Sequence, residues 1–355
     1  MSNDHPEPKI LAVSTASPDY TYTTEEIRPY LNRWLATRSS TAAAAMEKIS
    51  RSVQIDRRSC ALPLDAIFEE RTFEERNDSY IECAVDLAGR AFEKALAQSG
   101  VDACEIDFIV TTSCTGFMIP SLDAHLANRF GMKRELQRLP VLQMGCAGGT
   151  AGLIYATDYL KAYPDHKVAV ISCELPSLTL QLGDCSMANV ISAALFADGA
   201  ACVILGARDE LGPVIIDKQM THIHDSAGVM GYRLTNGGLK IVLEKEVPDV
   251  IGENLDSIVA PFLARNGCSL ASVGDMIFHP GSVKILERTE SLLAPHGKNV
   301  DDSKAVLREH GNMSSATVLF ILARAFERAH PVGDRGLMLS FGPGFMGHTL
   351  LLEWR

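Results

Sequence analysis

The chain has 355 residues, of which 46% are hydrophobic and 22% are charged, so it can bury at least one full core and is not a disordered protein. Lysine and arginine number 33 against 44 aspartate and glutamate residues, and the net charge of -11 argues against a general nucleic-acid or membrane-surface binder. The sequence contains no apolar run of about 18 residues, and its start, MSNDHPEPKI, is polar and acidic. We therefore expect a cytoplasmic protein.

The nine cysteines lie mostly in apolar surroundings and include no CxxC pair of the kind that binds zinc or exchanges electrons. Most of them are therefore expected to be reduced and buried. Two histidines, His222 and His224, would share one face of a strand, but the sequence offers no third ligand near them. We predict no metal site.

Along the chain, short apolar runs alternate with longer helical patterns, which is typical of sheets covered by helices. The fold class is therefore α/β. Residues 15–80 form a charged, helical excursion at the start, and residues 222–250 form a second excursion with glycine turn signals. The segment ARDELGP at 207–213 interrupts the apolar pattern, so we divide the chain into halves at residues 1–210 and 211–355.

Three pairs of segments recur at nearly one spacing, which indicates an internal duplication. The starting residues of the matched segments are, in pairs, Asp107 and Asp275, Cys146 and Ser314, and Val168 and Leu337. The spacing is 168 residues for the first two pairs (275 − 107 and 314 − 146) and 169 for the third (337 − 168). The first and third pairs begin strands, and the second pair opens helices rich in small residues.

Cys146 is the strongest nucleophile candidate because it follows the strand-like segment PVLQM and Gly145 and stands at the start of a helix. Unpaired backbone N–H groups and the positive end of the helix dipole favour a thiolate, so we expect a pKa below the usual value of about 8.5. The alternative is a buried structural cysteine beside glycines that permit close helix packing.

Two further residues are predicted to lie near Cys146. His279 ends a strand and is followed by Pro280 and Gly281, a position at which active sites of α/β layers form. Asn312 lies in the turn that enters the helix equivalent to that of Cys146. A cysteine nucleophile with histidine and asparagine as hydrogen-bond donors to an oxyanion indicates acyl transfer through a thioester.

Four motifs, in their order along the chain, resemble those of the type III polyketide synthase family. They are VLQMGCAGG around Cys146, HPGS from His279, GNMSSATVLFIL from Gly311 and SFGPG from Ser340. The resemblance covers almost the whole chain. It implies the thiolase fold, in which duplicated αβαβα halves form a five-layered α/β/α/β/α arrangement, and a homodimer. It also implies that malonyl-CoA units are condensed onto an acyl-CoA starter with no cofactor. Cys146 would carry the acyl group, while His279 and Asn312 would stabilise the enolate from malonyl-CoA.

The resemblance extends to residues that would shape the substrate cavity. Phe196 matches the family's gatekeeper phenylalanine between the CoA tunnel and the cavity, and Thr179 falls at a cavity-lining position. Met118 matches the residue that the family inserts into the cavity of the neighbouring subunit. Ser340 stands where the family commonly has glycine. For Phe196, Thr179 and Met118, ordinary packing is the alternative role.

Ile241 departs from the plant chalcone-forming members, which carry a second gatekeeper phenylalanine at this position. An aliphatic residue there favours a flexible alkyl chain over an aromatic starter, and the segment SCTGFMIPSL resembles bacterial members that make pyrones or alkylresorcinols. We therefore expect a medium- to long-chain acyl-CoA starter. Basic residues of the early helical region are candidates for the CoA phosphates, chiefly Lys48, Arg51, Arg57 and Arg58.

Two other functions fit parts of the pattern. An initiating ketoacyl-ACP synthase of fatty-acid synthesis shares the fold and the Cys, His and Asn set, but it follows the histidine with glutamine and alanine and lacks the FGPG loop. A catalytically silent thiolase-fold partner subunit would not need Cys146, His279 and Asn312 to be intact.

Overall fold

A computed structural model describes residues 7–207 and 212–355. Residues 208–211, inside the predicted boundary between the halves, lie outside the described residues. The strands are β1 Lys9–Ala16, β2 Tyr20–Thr23, β3 Arg57–Cys60, β4 Phe108–Thr112, β5 Gln137–Val141, β6 Val168–Glu174, β7 Gly199–Gly206, β8 Pro213–His222, β9 Met230–Thr235, β10 Gly238–Leu243, β11 Asp275–Phe278, β12 Arg335–Gly342 and β13 Met346–Trp354. The α-helices are α1 Thr24–Ala36, α2 Ser40–Ser52, α3 Leu64–Ile67, α4 Phe73–Ser99, α5 Leu122–Arg129, α6 Gly148–Ala162, α7 Met187–Leu195, α8 Val247–Arg265, α9 Val283–Leu293, α10 Asp301–His310 and α11 Thr317–Phe326.

A nine-stranded mixed sheet runs through both halves in the order β11-β12-β13-β8-β1-β7-β6-β4-β5. The four strands of the C-terminal half join the five strands of the N-terminal half where β8 meets β1, at the pair Lys9 and Val214. Two small antiparallel sheets stand apart from this sheet: β2 pairs with β3 across the helices α1 and α2, and β9 forms a hairpin with β10. The hairpin β9–β10 lies in the predicted excursion at 222–250.

The strand register confirms the internal duplication. In the N-terminal half β4 pairs with β6 in parallel, with Phe108 opposite Val168. In the C-terminal half β11 pairs with β12 in parallel, with Met276 opposite Leu337. These partners are separated by the same spacings that the sequence shows, 168 (276 − 108) and 169 (337 − 168).

Alternation of side chains along buried strands separates three cores and thereby five layers. On β6, Val170 faces the core shared with α6 and α11, whereas Ile171 faces the core under α4. On β12, Met338 faces the same central core, and Leu339 faces a third core under α8 and α9. The order is therefore helix, sheet, helix, sheet, helix, which confirms the predicted thiolase fold.

The two central helices approach each other closely because α6 begins with glycines. A Cβ at Gly149 would lie 2.4 Å from the backbone oxygen of Ser315, and one at Gly152 would lie 2.6 Å from a methyl group of Val170. These glycines allow α6 to contact the turn before α11 on one side and β6 on the other. Within the described residues, no helix is both long and apolar enough to cross a membrane, and no cluster of three or more His, Cys, Asp or Glu side chains is placed to hold a metal ion.

Gly149→Ala is expected to destabilise the fold, because the new methyl group meets a backbone oxygen that cannot rotate away, and such overpacking costs about 1–3 kcal/mol. Alanine gains roughly 1 kcal/mol over glycine in a helix interior, so the free energy of unfolding should fall by up to about 2 kcal/mol. Gly183→Ala is the matched control, since a Cβ there meets nothing within 4 Å. Chemical denaturation of both variants measures the difference, and equal stabilities would contradict the close packing of α6.

Candidate active site

Cys146 lies in a 3₁₀ turn, Gly145–Ala147, that leads directly into α6. Ser314, its counterpart in the duplication, lies in the matching 3₁₀ turn before α11. The Oγ of Ser314 donates a hydrogen bond to the Sγ of Cys146 at 3.7 Å. The pseudo-symmetry of the fold therefore brings the two helix starts into direct contact at the thiol.

The expected lowering of the Cys146 pKa is wrong. The side chain is partly accessible, yet surrounding protein desolvates the sulfur, and this burial raises its pKa to about 12. The hydrogen bond from Ser314 and the local backbone N–H favour the thiolate, but they are weaker than the desolvation. Cys146 therefore rests as a neutral thiol.

Asn312 connects the turn before α11 to the histidine loop and to the end of α7. Its Nδ2 donates to the backbone oxygen of Gly281 at 3.0 Å, and its Oδ1 accepts from the backbone N–H of Ser314 at 2.8 Å. Its backbone forms a bridge with Phe196. Asn312 thus links the residue that contacts Cys146 to the loop that follows His279, and one of its two amide hydrogens is left for another acceptor.

His279 follows β11, and its backbone N–H donates to the oxygen of Leu339 at 2.9 Å. Both ring nitrogens are buried and have no hydrogen-bond partner in the described chain. Burial lowers the pKa of His279 to about 4, so the ring is neutral near pH 7. An unpaired buried imidazole is unfavourable unless a ligand completes its hydrogen bonds, which makes this ring a candidate binding group.

Cys146 opens into a cavity of about 290 Å³, which we call the main cavity. Phe196, at the end of α7, and Ile241, on β10, form part of its wall. Across the hairpin, Ile241 pairs with Tyr232, which also lines this cavity. Most of the remaining lining is apolar: Phe117, Leu142, Met230, Leu234, Leu239, Val242, Leu243 and Pro343.

Phe196 and Ile241 also line a second cavity of about 50 Å³, the side cavity. The two residues therefore form the wall between the side cavity and the main cavity. Thr179 lines the side cavity, and its Oγ1 donates to the backbone oxygen of Pro176 at 2.8 Å. The structure thus places Thr179 beside the two predicted gatekeepers.

The basic candidates for CoA phosphates occupy different environments. Arg58 is only 5% exposed and donates to the backbone oxygens of Ala193 at 2.7 Å and Phe196 at 2.9 Å. Its interpretation as a phosphate ligand is therefore wrong, because its charge holds the backbone around Phe196. Lys48 is exposed on α2, and Arg51 pairs with Glu47 at 2.6 Å on the same helix.

Two further predicted residues lie outside the main cavity. Met118 packs, half-buried, against the core under α4, between the exposed side chains of Phe117 and Ile119. The Ser340 hydroxyl lies 2.6 Å from the Oγ1 of Thr150, so it joins β12 to α6 in the central layer. A role of Met118 in a second subunit's cavity stays a prediction.

The sequence reasoning missed the functional environment supplied by Ser314, Tyr232 and Glu174. Ser314 had a usable signal, since it stands 168 residues after Cys146 in the duplication. Glu174 ends β6 fully buried, and its carboxylate accepts from the Cys114 backbone N–H at 3.0 Å and from the Ser315 hydroxyl at 2.5 Å. Burial raises the pKa of the Tyr232 phenol above its usual value, so it remains a hydrogen-bond donor in the cavity.

Comparisons with known proteins identify the family of the chain. The family model for the N-terminal domain of chalcone and stilbene synthases matches residues 3–209, and the model for their C-terminal domain matches residues 215–354. A 1,3,6,8-tetrahydroxynaphthalene synthase from Streptomyces peucetius is 35% identical over 97% of this chain and 93% of that protein. A phloroglucinol synthase from Pseudomonas fluorescens is 31% identical over 88% of this chain and 89% of that protein. The crystal structure of the tetrahydroxynaphthalene synthase from Streptomyces coelicolor, a bacterial type III polyketide synthase, superposes with a TM-score of 0.92 at 28% identity and covers 98% of this chain and 99% of that one.

The neutral resting state of Cys146 predicts that the free enzyme shows no thiolate titration from this residue between about pH 6 and about pH 9. The measurement is the ultraviolet thiolate absorbance of the native chain minus that of Cys146→Ala, followed across this pH range. A step in the difference at or below about pH 8.5 would contradict the burial argument.

Proposed function

The chain belongs to the chalcone and stilbene synthase family and is a type III polyketide synthase, and we propose that it extends a medium- to long-chain aliphatic acyl-CoA with malonyl-CoA. The extended chain closes to an α-pyrone or a resorcinol-type product. The observation that carries this proposal is the wall that Phe196 and Ile241 form beside the thiol, on a main cavity whose lining is mostly apolar. No cofactor takes part.

In the first step the starter acyl group moves from CoA to Cys146. The Cys146 sulfur forms a bond to the thioester carbonyl carbon, the bond to the CoA sulfur breaks, and the thiol proton ends on the released CoA. Because one thioester replaces another, the exchange needs no net proton. The hydrogen bond from Ser314 stabilises the sulfur as its proton departs.

In the second step malonyl-CoA loses carbon dioxide, and the electron pair of the broken C–C bond becomes an enolate. His279, as a neutral ring, and the unbonded amide hydrogen of Asn312 donate to the enolate oxygen. Each such donor stabilises an oxyanion by about 3–4 kcal/mol. The enolate carbon then attacks the acyl-Cys146 carbonyl, and the freed thiolate takes up one proton.

The apolar lining favours an alkyl starter. The hairpin β9–β10 supplies Met230, Leu239 and Leu243 to the main cavity, and each buried methylene of a substrate contributes about 0.8 kcal/mol on leaving water. Ile241 leaves room that a phenylalanine ring would fill. An alkyl chain bends into such a space, whereas an aromatic starter gains little from an aliphatic wall.

A second candidate starter is malonyl-CoA itself. The relative from Streptomyces peucetius is named for 1,3,6,8-tetrahydroxynaphthalene, a product without an alkyl chain. Polar side chains of the main cavity include Gln143, Tyr232 and Ser314, and the Tyr232 phenol would pair with a starter carboxylate or carbonyl.

The proposal also includes a homodimer in which Met118 enters the cavity of the second subunit, CoA phosphates held by Lys48 and Arg51, and a cytoplasmic location. Lys48 and Arg51 lie on exposed positions of α2. The ion pair of Arg51 with Glu47 is exposed, and an exposed pair adds only about 0–1 kcal/mol to stability. A phosphate would therefore replace Glu47 as the partner of Arg51 at little cost.

Mass spectrometry of the products tests the starter. Purified enzyme is incubated with malonyl-CoA alone and with a ladder of acyl-CoA starters from short to long chains. The proposal expects alkylated pyrone or resorcinol products with the longer starters. If all product forms from malonyl-CoA alone and no starter is incorporated, the second candidate replaces the first.

Ile241→Phe is expected to lower kcat/KM for the longest accepted starter by roughly 5- to 150-fold, because overpacking a formed cavity costs about 1–3 kcal/mol. Short starters should be almost unaffected. Ile241→Leu is the matched control, since it keeps the side-chain volume. If the ratio of kcat/KM for the long starter to kcat/KM for the short starter is the same in folded Ile241→Phe as in the native enzyme, Ile241 gives no support to an aliphatic starter.

A further inference from the structure

Arg58 is a buried cation that contacts both of the chain segments that meet at Asn312. Its Nη1 donates to the backbone oxygens of Ala193 at 2.7 Å and Phe196 at 2.9 Å, at the end of α7. Its methylene groups lie against Gly311, where a Cβ would be 3.0 Å from the Arg58 Cγ. Gly311 directly precedes Asn312. The Arg58 side chain therefore lies between the end of α7 and the turn that carries the asparagine.

Backbone hydrogen bonds join the same two segments around Asn312. The N–H of Asn312 donates to the oxygen of Leu195 at 3.0 Å, and the N–H of Ala197 donates to the oxygen of Asn312 at 2.9 Å. Phe196, between these two partners, forms the parallel bridge with Asn312. The end of α7 thus sets the position of the Asn312 backbone, and Arg58 holds the end of α7 through the oxygen of Phe196.

Gly311 makes this contact tight. Its φ is +76°, a conformation that favours glycine, and a Cβ would lie 2.9 Å from the Cβ of Ala197 as well as close to the Arg58 side chain. The turn cannot move toward α7 without meeting one of these two side chains. Removing the Arg58 side chain would leave space beside Gly311, into which the turn that carries Asn312 could shift.

Asp198 offsets the charge of Arg58. Its carboxylate is buried and accepts from the backbone N–H groups of Ala61 at 2.6 Å and Ser177 at 2.8 Å. Burial raises the pKa of Asp198 to about 6, although these hydrogen bonds and the Arg58 charge oppose the rise, so the group is ionised near pH 7. The Asp198 N–H donates to the oxygen of Ser59, next to Arg58 on β3, at 3.0 Å. A buried cation needs such a counter-charge, and Asp198 supplies it.

We propose that Arg58 is a positioning residue for the decarboxylation of malonyl-CoA, and that it holds Asn312 where the free amide hydrogen meets the enolate oxygen. This inference rests on the role proposed for Asn312. Arg58 itself touches no reacting atom. An oxyanion donor must lie within hydrogen-bond distance of the charged oxygen, and a misplacement of about 1 Å costs about a hundredfold in rate. Loss of Arg58 therefore slows decarboxylation more than the loading of Cys146.

Arg58→Met removes the donors and the charge but keeps an unbranched apolar stem. We expect the rate of acetyl-CoA release from malonyl-CoA to fall about tenfold to a hundredfold, and loading of Cys146 by a starter, followed by intact mass, to fall less than about threefold. Arg58→Lys keeps the buried charge and should lie between Arg58→Met and the native enzyme. Arg90→Met is the matched control, because Arg90 also donates to a backbone oxygen, that of Ser17 at 2.8 Å, but lies on α4.

Asn312→Ala separates positioning from general damage. If Arg58 acts through Asn312, Arg58→Met lowers the decarboxylation rate no further in a chain that already carries Asn312→Ala. The same fold-loss in both backgrounds, or a native rate in folded Arg58→Met, would overturn the inference. If the melting curve shows that Arg58→Met does not fold, the same comparison with Arg58→Lys decides. If Asn312→Ala alone decarboxylates at the native rate, the role proposed for Asn312 is wrong and this inference falls with it, which that single variant reveals.

Discussion

The contact between the two central helix starts is the constraint on which the site depends. Gly149 brings α6 so near to the turn before α11 that no side chain fits between its Cα and the oxygen of Ser315. That closeness places Ser314 within hydrogen-bond distance of Cys146 and Asn312 directly behind Ser314. From Asn312 the same network reaches Gly281 and so fixes the loop that carries His279. A duplicated fold thus becomes one site because its two halves meet there.

The site is built from polar groups that are buried away from solvent. Burial holds Cys146 as a thiol and His279 as a neutral ring, with a raised pKa for the first and a lowered pKa for the second. Neither group carries charge before substrate binds. Donors without competing water act strongly on a developing oxyanion, since an electrostatic interaction gains as the local dielectric falls. The unpaired nitrogens of His279 reduce the stability of the free chain.

Much of the fold could be predicted from the sequence, because a repeat preserves spacing. The offset between Cys146 and Ser314 is the offset between equivalent strands of the two half-sheets, so the duplication and the approach of the helix starts follow from it. The five layers were implied by the family resemblance, and the strand order came from the structure. The environment of single side chains could not be predicted. The sequence suggested that Arg58 is a surface cation, but the structure buries it beside Phe196. At Cys146, the start of the helix favours a thiolate, but desolvation raises the pKa by more, and only the packed structure determines that desolvation.

The cavity was predicted only in part. The motif around Ile241 predicted that this residue lines the cavity, and the structure places it there together with Phe196. Tyr232 could not be predicted, because its place opposite Ile241 depends on the register of the hairpin.

The central claim is that Cys146 carries the acyl group, and intact mass after incubation with acyl-CoA tests it most directly. The native chain should gain the mass of one acyl group with loss of CoA, while Cys146→Ala, folded by its melting curve, should gain none. Cys114, which lines the same cavity and lies 3.4 Å from the Ser314 hydroxyl, is the alternative nucleophile that the variant leaves intact. An adduct of equal yield on Cys146→Ala would contradict the account and move the reaction to another residue.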